Sequence, residues 1–291
     1  MQEGLSAAIT HPGIDAPVGL HIIRWKQQGH QLTAQDCARF KSDGALLIQG
    51  LLSPSDFQGI QLDLAQRLRL LGEPEANAAN LTSLSQGLIS LSRQDATWQG
   101  AVYEAMGCAP SIHALAAHPS LLSAVTQLLS PAVSVHPRTL LLMSLPETHW
   151  HLAGWHQDWY YNKGPGSTLT IYAPLQDTTG QNGSLQLALG EHHRGPLPHD
   201  DHPTEPPTKW HTLSPREVAG FTRVVDTELA VGDVLLFNSL VPHTARVNRS
   251  ESVRFVVNLR YQDLADPTFL ETRWQVAPSP EARQAMARTS P

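Results

Sequence analysis

Cysteine is almost missing from this chain. Its two copies, Cys37 and Cys108, exclude a disulfide scaffold and a cysteine-ligated zinc site, and they make a reducing cytoplasm the expected setting. Long apolar runs are missing too. None approaches the roughly 20 residues of a membrane span, and the opening stretch MQEGLSAAITHPGIDAP lacks the apolar segment of a secretory signal. There is no excess of positive charge: 20 Lys and Arg stand against 26 Asp and Glu, for a net charge of -6. With no dense basic block, a nucleic-acid partner is excluded and a small molecule is expected. Internal repeats and low-complexity segments are absent. At 41% apolar residues the chain still has ample material for a packed core.

Histidine, by contrast, is plentiful, with 15 copies and a concentration between His149 and His243. The stretch GWHQDWYYN, residues 154 to 162, sets His156 and Asp158 two apart among aromatic rings. Read as a strand, it alternates its side chains, so His156, Asp158 and Tyr160 share one face. That face then carries two potential metal ligands and one aromatic wall. A third ligand is needed, and His243 in VGDVLLFNSLVPHTARVNRS is the best candidate, just past a buried strand. Two histidines and one carboxylate form the facial arrangement of non-haem Fe(II) oxygenases, which leaves positions open for a chelating cosubstrate and O2. In SVRFVVNLRY the same alternation puts Arg254, Val256, Asn258 and Arg260 on one face. An inward arginine demands an anionic partner, which its fork grips with two parallel hydrogen bonds.

The order of elements points to a mainly β protein with flanking helices. LTAQDCARFKSDG predicts a helix capped by Thr33 and ended by Gly44, ALLIQGLL a buried strand, and SPSDFQGIQLDLAQRLRLLG an amphipathic helix started by Ser53 and Pro54. Residues 74–101 are polar and weakly patterned, which predicts a connection or lid. Two further helical pieces break near Pro119. After Pro131, short β-rich runs separated by turn residues predict seven or more strands. Residues 1–31 are expected as a loose, partly extended arm, 32–130 as helical support, 131–265 as a barrel and 266–291 as a tail. The proline-rich segment 196–220 is expected as a long inserted loop.

WHQD, then TIYAPLQDTTGQNGSLQLALGEHHRG, then GDVLLFNSLVPHTARVNRS and a following arginine resemble the phytanoyl-CoA dioxygenase family of Fe(II)/2-oxoglutarate oxygenases. FKSDGALLIQGLLSPSDF and LAAHPSLLSAVTQLL resemble its N-terminal half, so the likeness spans roughly residues 32–263. It implies a double-stranded β-helix, a jelly-roll barrel of the cupin kind. It also implies iron on His156, Asp158 and His243, with Arg254 on the 2-oxoglutarate carboxylate and Thr170 and Tyr172 beside it. O2 is the second cosubstrate, and hydroxylation of a small molecule with release of succinate and CO2 is the default reaction. Chlorinating relatives replace the carboxylate ligand by a small residue, and this chain keeps Asp158. GEHH at residues 190–193 replaces the family's PGSH turn, with His193 in the place of its histidine, and Met143 stands where many members have a polar or basic residue.

The substrate pocket is expected to include Tyr160, Trp150, His193, Asn258 and Arg260. His149 and His151 resemble a cupin metal pair but lack the downstream glutamate, so they are assigned to the mouth. A second H-x-D, His199 with Asp201, lies between prolines and is expected on a solvated loop. Asn182 and Gly183 read as a hairpin turn with no functional part. Two rivals remain at this point: a cupin-like zinc isomerase or hydrolase that ignores 2-oxoglutarate, and a non-catalytic binding barrel.

Overall fold

The computed structural model of the chain describes residues 19–26, 30–148, 154–200 and 211–274. Trp150, His149, His151, Asp201 and Trp210, and much of the expected insert, lie outside the described residues. Strand β1 (His21–Arg24) is followed by helix α1 (Ala34–Asp43), β2 (Ala45–Gln49), and helices α2 (Gln58–Leu70), α3 (Leu81–Gln94), α4 (Thr97–Gly107), α5 (Pro110–Ala116) and α6 (Pro119–Leu128). Then come β3 (Val133–Val135), β4 (Leu140–Ser144), the short helix α7 (Asp158–Asn162), β5 (Leu169–Pro174) and β6 (Leu185–Ala188). The chain continues with β7 (His199–Asp200), β8 (Thr212–Leu213), helix α8 (Pro215–Ala219), β9 (Val224–Thr227), β10 (Val234–Asn238), β11 (His243–Ala245), β12 (Arg254–Asp263) and helix α9 (Pro267–Glu271).

Seven strands form the large sheet, in the order β1-β2-β10-β5-β12-β3 with β4 also on β12; a smaller sheet runs β11-β6-β9. Alternation along the large sheet divides the core into two layers. On one face, Leu46, Ile48, Ile171, Leu236, Phe255 and Val257 pack against the helices. On the other, Leu47, Tyr172, Leu235, Phe237 and Val256 meet Leu185 and Leu187 of the small sheet. Helices, large sheet and small sheet thus make three layers, and the cleft described below opens between the two sheets.

Local chemistry explains the elements that the sequence signals. Thr33 closes α1 with a reciprocal capping box through Asp36, and Gly44 ends it in a left-handed conformation, which a residue without Cβ adopts freely. The structure corrects three expectations. Residues 74–101 are no simple connection: they hold α3 and the start of α4. Leu84, Leu88 and Leu91 form the buried stripe of α3, but the serines and glutamines between them hide it from the sequence pattern. The loose arm contributes β1, which pairs in parallel with β2, so the large sheet recruits strands from both the arm and the helical half. The 196–220 segment includes β7, β8 and α8, and a proline-rich stretch therefore still pairs strands at its two ends. No helix among the described residues is long and apolar enough to cross a membrane.

Two helices brace the strands that carry the site. Val253, just before β12, donates its backbone N–H to Ser85 Oγ of α3 at 2.8 Å. Gln99 of α4 donates to the Met143 carbonyl on β4 at 3.1 Å. Met143 itself is fully buried on the helix side of β4. It stays away from the cleft, and the next residue, Ser144, faces it instead.

Candidate metal centre

The stretch around His156 is not a strand. His156 makes a single two-bond bridge with His243, N–H to carbonyl at 3.0 and 2.9 Å, and the chain then turns into α7 at Asp158. The reason lies in Gln157, whose side chain is fully buried. Its amide donates to the carbonyls of Gly195 and Leu240 at 3.0 and 2.8 Å and accepts from Leu197 N at 2.7 Å. These bonds hold residue 157 against two other segments, so no neighbouring strand can extend the ladder. His156 and Asp158 converge even so, but by a turn of backbone and not by alternation. Ligand-capable atoms of His156, Asp158 and His243 lie within 4.8 Å of one another.

Each candidate ligand is held by a second group. His156 Nδ1 lies 2.8 Å from the Gly154 carbonyl and His243 Nδ1 3.0 Å from the Val241 carbonyl. A carbonyl only accepts, so each Nδ1 donates and each Nε2 keeps its lone pair for a metal. Asp158 accepts from Arg260 through both oxygens, Nη2 at 3.0 Å and Nε at 3.2 Å, and from the Thr170 hydroxyl at 2.8 Å. The two charged side chains are almost entirely buried. Three groups therefore arrive oriented, with one negative charge among them.

Burial, and then the neighbouring His243 ring, push the His156 imidazole down to about 3. Burial lowers His243 as well, against the opposing pull of Asp158. Burial works against ionisation of Asp158, but Arg260 first, then His243 and His156, hold its carboxyl below the usual carboxylate range. All three groups are thus in their metal-binding protonation states at neutral pH. For ligands whose values are lowered, proton competition sets in only at lower pH. Co(II) affinity measured by calorimetry is therefore expected to fall by less than about tenfold from pH 7.5 to 5.5. Two ordinary imidazoles near 6.5 would lose about a hundredfold over that range, and a loss of that size would show that the ring environments are misassigned.

The three groups line a cleft of about 840 Å³, part of it open to solvent. At its far end Arg254 is buried, 3% exposed. It donates from Nη2 to the Ser144 hydroxyl at 2.7 Å, while its Nε and Nη1 have no partner, nor has the Tyr172 hydroxyl. This is a cation with unused donors facing a buried hydroxyl, the donor set that a carboxylate satisfies. Gly183 makes room for it. A Cβ there would stand 2.9 Å from Arg254 Nη1 and 2.6 Å from the Arg246 carbonyl, so the turn glycine has a part in the site that its sequence context does not suggest.

Several expected pocket residues lie elsewhere. Tyr160 stacks on His199, ring centres 4.2 Å apart, and its neighbour Tyr161 lines the cleft, edge-on to His156 at 5.8 Å. The helical turn exchanges the two tyrosines, since alternation no longer applies. His193 sits in a 3-10 turn, Glu191–Arg194, with Nε2 3.1 Å from the Ser42 carbonyl, away from the cleft. Thr170 bonds Asp158 and does not line the cleft beside Arg254. Arg260 and Asn258 do line the cleft, with Arg260 committed to Asp158. His199 is not solvated: it is buried in β7 and accepts from Gln157 N through Nε2 at 2.9 Å. Ser144, Tyr161, Asn162 and Arg138, all on the cleft wall, were not anticipated. The only sequence signal for Ser144 is the alternation of LLLMS, which sets it opposite to Met143.

The family model described as phytanoyl-CoA dioxygenase (PhyH) matches residues 40–256. Among solved structures, the non-heme monooxygenase ThoJ in its apo form superposes with a TM-score of 0.58 at 21% identity, covering 79% of this chain and 77% of that one. The epimerase SnoN, in complex with Fe3+, alpha ketoglutarate and nogalamycin RO, gives 0.55 at 20% identity over 78% and 82%. EctD from S. alaskensis, with 2-oxoglutarate and 5-hydroxyectoine, gives 0.55 at 19% over 84% and 80%. At these identities the likeness establishes the fold.

Proposed function

This chain belongs to the phytanoyl-CoA dioxygenase family, and from that premise we propose that it is an Fe(II)- and 2-oxoglutarate-dependent dioxygenase hydroxylating an unactivated C–H of a small molecule. The overall reaction balances as R–H, O2 and 2-oxoglutarate giving R–OH, succinate and CO2. The two facing sheets are read as the double-stranded β-helix of such enzymes. The observation that carries the reading is Arg254: a buried guanidinium with two unpartnered nitrogens in the same cleft as a His-Asp-His cluster. A zinc isomerase or hydrolase needs no such cation, and a passive binding barrel needs no preset ligand triad.

In this reading His156, Asp158 and His243 hold iron, and Arg254, Ser144 and Tyr172 receive the distal carboxylate of 2-oxoglutarate. Iron with its cosubstrate would supply the electrons that activate O2, which is the oxidant of the reaction. The protein supplies position and environment. Nδ1 bonds fix both imidazoles, and Arg260 with Thr170 fixes Asp158, so the ligand geometry does not have to be organised on binding. Phe237, Leu142 and Leu185 give the cleft an apolar wall. The substrate is left the side lined by Leu140 and Tyr161.

Anaerobic titration of the metal-free protein with Fe(II) and then 2-oxoglutarate tests this. A weak visible charge-transfer band is expected only with both present. Bound metal without a band would remove the dioxygenase reading and make zinc chemistry the next to examine.

A further inference from the structure

The cleft has two cationic ends, and the reading above, on which this inference rests, uses one. Arg254 and Arg260 stand six residues apart on β12, about 20 Å of extended chain. Arg260 turns Nη1 to the carbonyl of Arg138 at 3.1 Å, which places Arg138 at the end opposite Arg254. The Arg138 side chain hydrogen-bonds Tyr103 and acts electrostatically on Tyr161, and both tyrosines line the cleft. It therefore lies on the cleft wall beside Tyr103 and Tyr161.

Charge accounting isolates it. The cleft is lined by Arg138, Arg254, Arg260 and a single acid, Asp158. Arg260 is matched by Asp158, and Arg254 faces the cosubstrate end. Arg138 has no acidic partner among the described residues. A second observation comes from Asn162, the last residue of α7. It is 4% exposed and lines the cleft, yet neither its amide nitrogen nor its amide oxygen has a partner. Leaving a buried amide empty on both atoms is unfavourable, so the site is built for a polar guest. Between the two ends the wall is hydrocarbon, Leu140 and Leu142, opposite Asn258 and Val256 on β12.

We infer that the substrate is an organic acid whose carboxylate is received by Arg138, with Asn162 bonding a neighbouring polar group and an apolar body lying along Leu140 and Leu142. A planar carboxylate matches one guanidinium. An ammonium group finds no uncommitted acid on the lining, so amines are excluded as the recognised head.

The test uses the full chain loaded anaerobically with Fe(II) and 2-oxoglutarate. 4-Phenylbutyrate, its primary amide and 4-phenylbutylamine are titrated while the charge-transfer band is followed. The acid is expected to perturb the band at concentrations about tenfold lower than the amide, and the amine not at all. Arg138→Met should abolish the preference for acid over amide; Arg138→Gln, which keeps a polar side chain, serves the same purpose if the methionine variant folds poorly. Equal response to acid and amide, no response to the acid, or an acid preference surviving both variants overturns the inference. If the band itself never forms, the iron reading has failed separately. The comparison then moves to ligand-observed NMR on the metal-free protein. There, acid binding lost in Arg138→Met and kept in Arg254→Met supports the inference, and the reverse overturns it.

Discussion

Arg254→Met is expected to make the metal-free protein more stable while destroying its response to 2-oxoglutarate. The guanidinium is 3% exposed and has one side-chain hydrogen bond, to Ser144, with Nε and Nη1 unpartnered. An uncompensated buried charge costs several kcal/mol, and replacing it by an apolar side chain of similar length removes that cost. A gain of about 1–3 kcal/mol, read as a melting temperature several degrees higher, is the expected size. The ligand effect runs the other way. Truncating one partner of a buried charged pair costs about 2–5 kcal/mol in binding, so 2-oxoglutarate affinity should fall by roughly a hundredfold or more. Melting curves with and without 2-oxoglutarate in the presence of Co(II) read both effects at once. A variant still stabilised by 2-oxoglutarate as much as the parent would place the cosubstrate elsewhere.

Asp158→Ala should carry the opposite sign in stability. It removes a candidate metal ligand and also strands Arg260, whose guanidinium meets the carboxylate through two bonds with both side chains buried. Removing one member of such a pair costs about 3–5 kcal/mol, because the remaining charge stays buried without a counter-charge. The metal-free variant should melt well below the parent, and Fe(II)-dependent turnover should vanish. Adding Arg260→Met should restore much of the stability and none of the turnover. That separation matters, since loss of activity alone fits a misfolded protein as well as a missing ligand. Retained Fe(II) affinity in Asp158→Ala would remove the ligand assignment, and unchanged stability would remove the assigned weight of the Arg260 pair.

The two predictions share one physical root. Both arginines point from the same face of β12 into the cleft and are almost fully buried, where a charge is stable only beside its counter-charge. Arg260 carries a permanent partner from α7. Arg254 has none within the described chain, and in the proposed reading the difference separates a residue that organises the site from one that receives the cosubstrate. In the proposed reading the arrangement is a case of stability given up for binding, and it explains why Arg254→Met should raise the melting point while Asp158→Ala, which strands Arg260, should lower it.

How much of this was legible beforehand depends on the range of the interactions involved. Helix α1 and its caps follow from Thr33, Asp36 and Gly44, all within one short segment. The face shared by Arg254, Asn258 and Arg260 follows from strand alternation alone, because β12 is long and regular. The identity of His156, Asp158 and His243 as a set came from spacing and resemblance. Their convergence was expected for the wrong local reason, since the segment turns instead of extending. That turn is decided by Gln157, which bonds to Gly195, Leu197 and Leu240, residues far along the chain that no local pattern brings to mind. The same turn exchanged Tyr160 for Tyr161 as the wall beside His156.

By itself, then, the sequence determined the helical and β-rich halves, the inward face of β12 and the residue types available for a metal. Those depend on capping, periodicity and composition, which act over a few residues. Only the tertiary structure decided which charge is paired and which is open, why Gly183 must be small, and which tyrosine stands beside His156. It also placed Arg138 and Asn162 on the same cleft. Each of these is a contact between segments remote in sequence, set by how the two sheets and α7 pack together, and a partner across such a distance leaves no periodic trace in either segment.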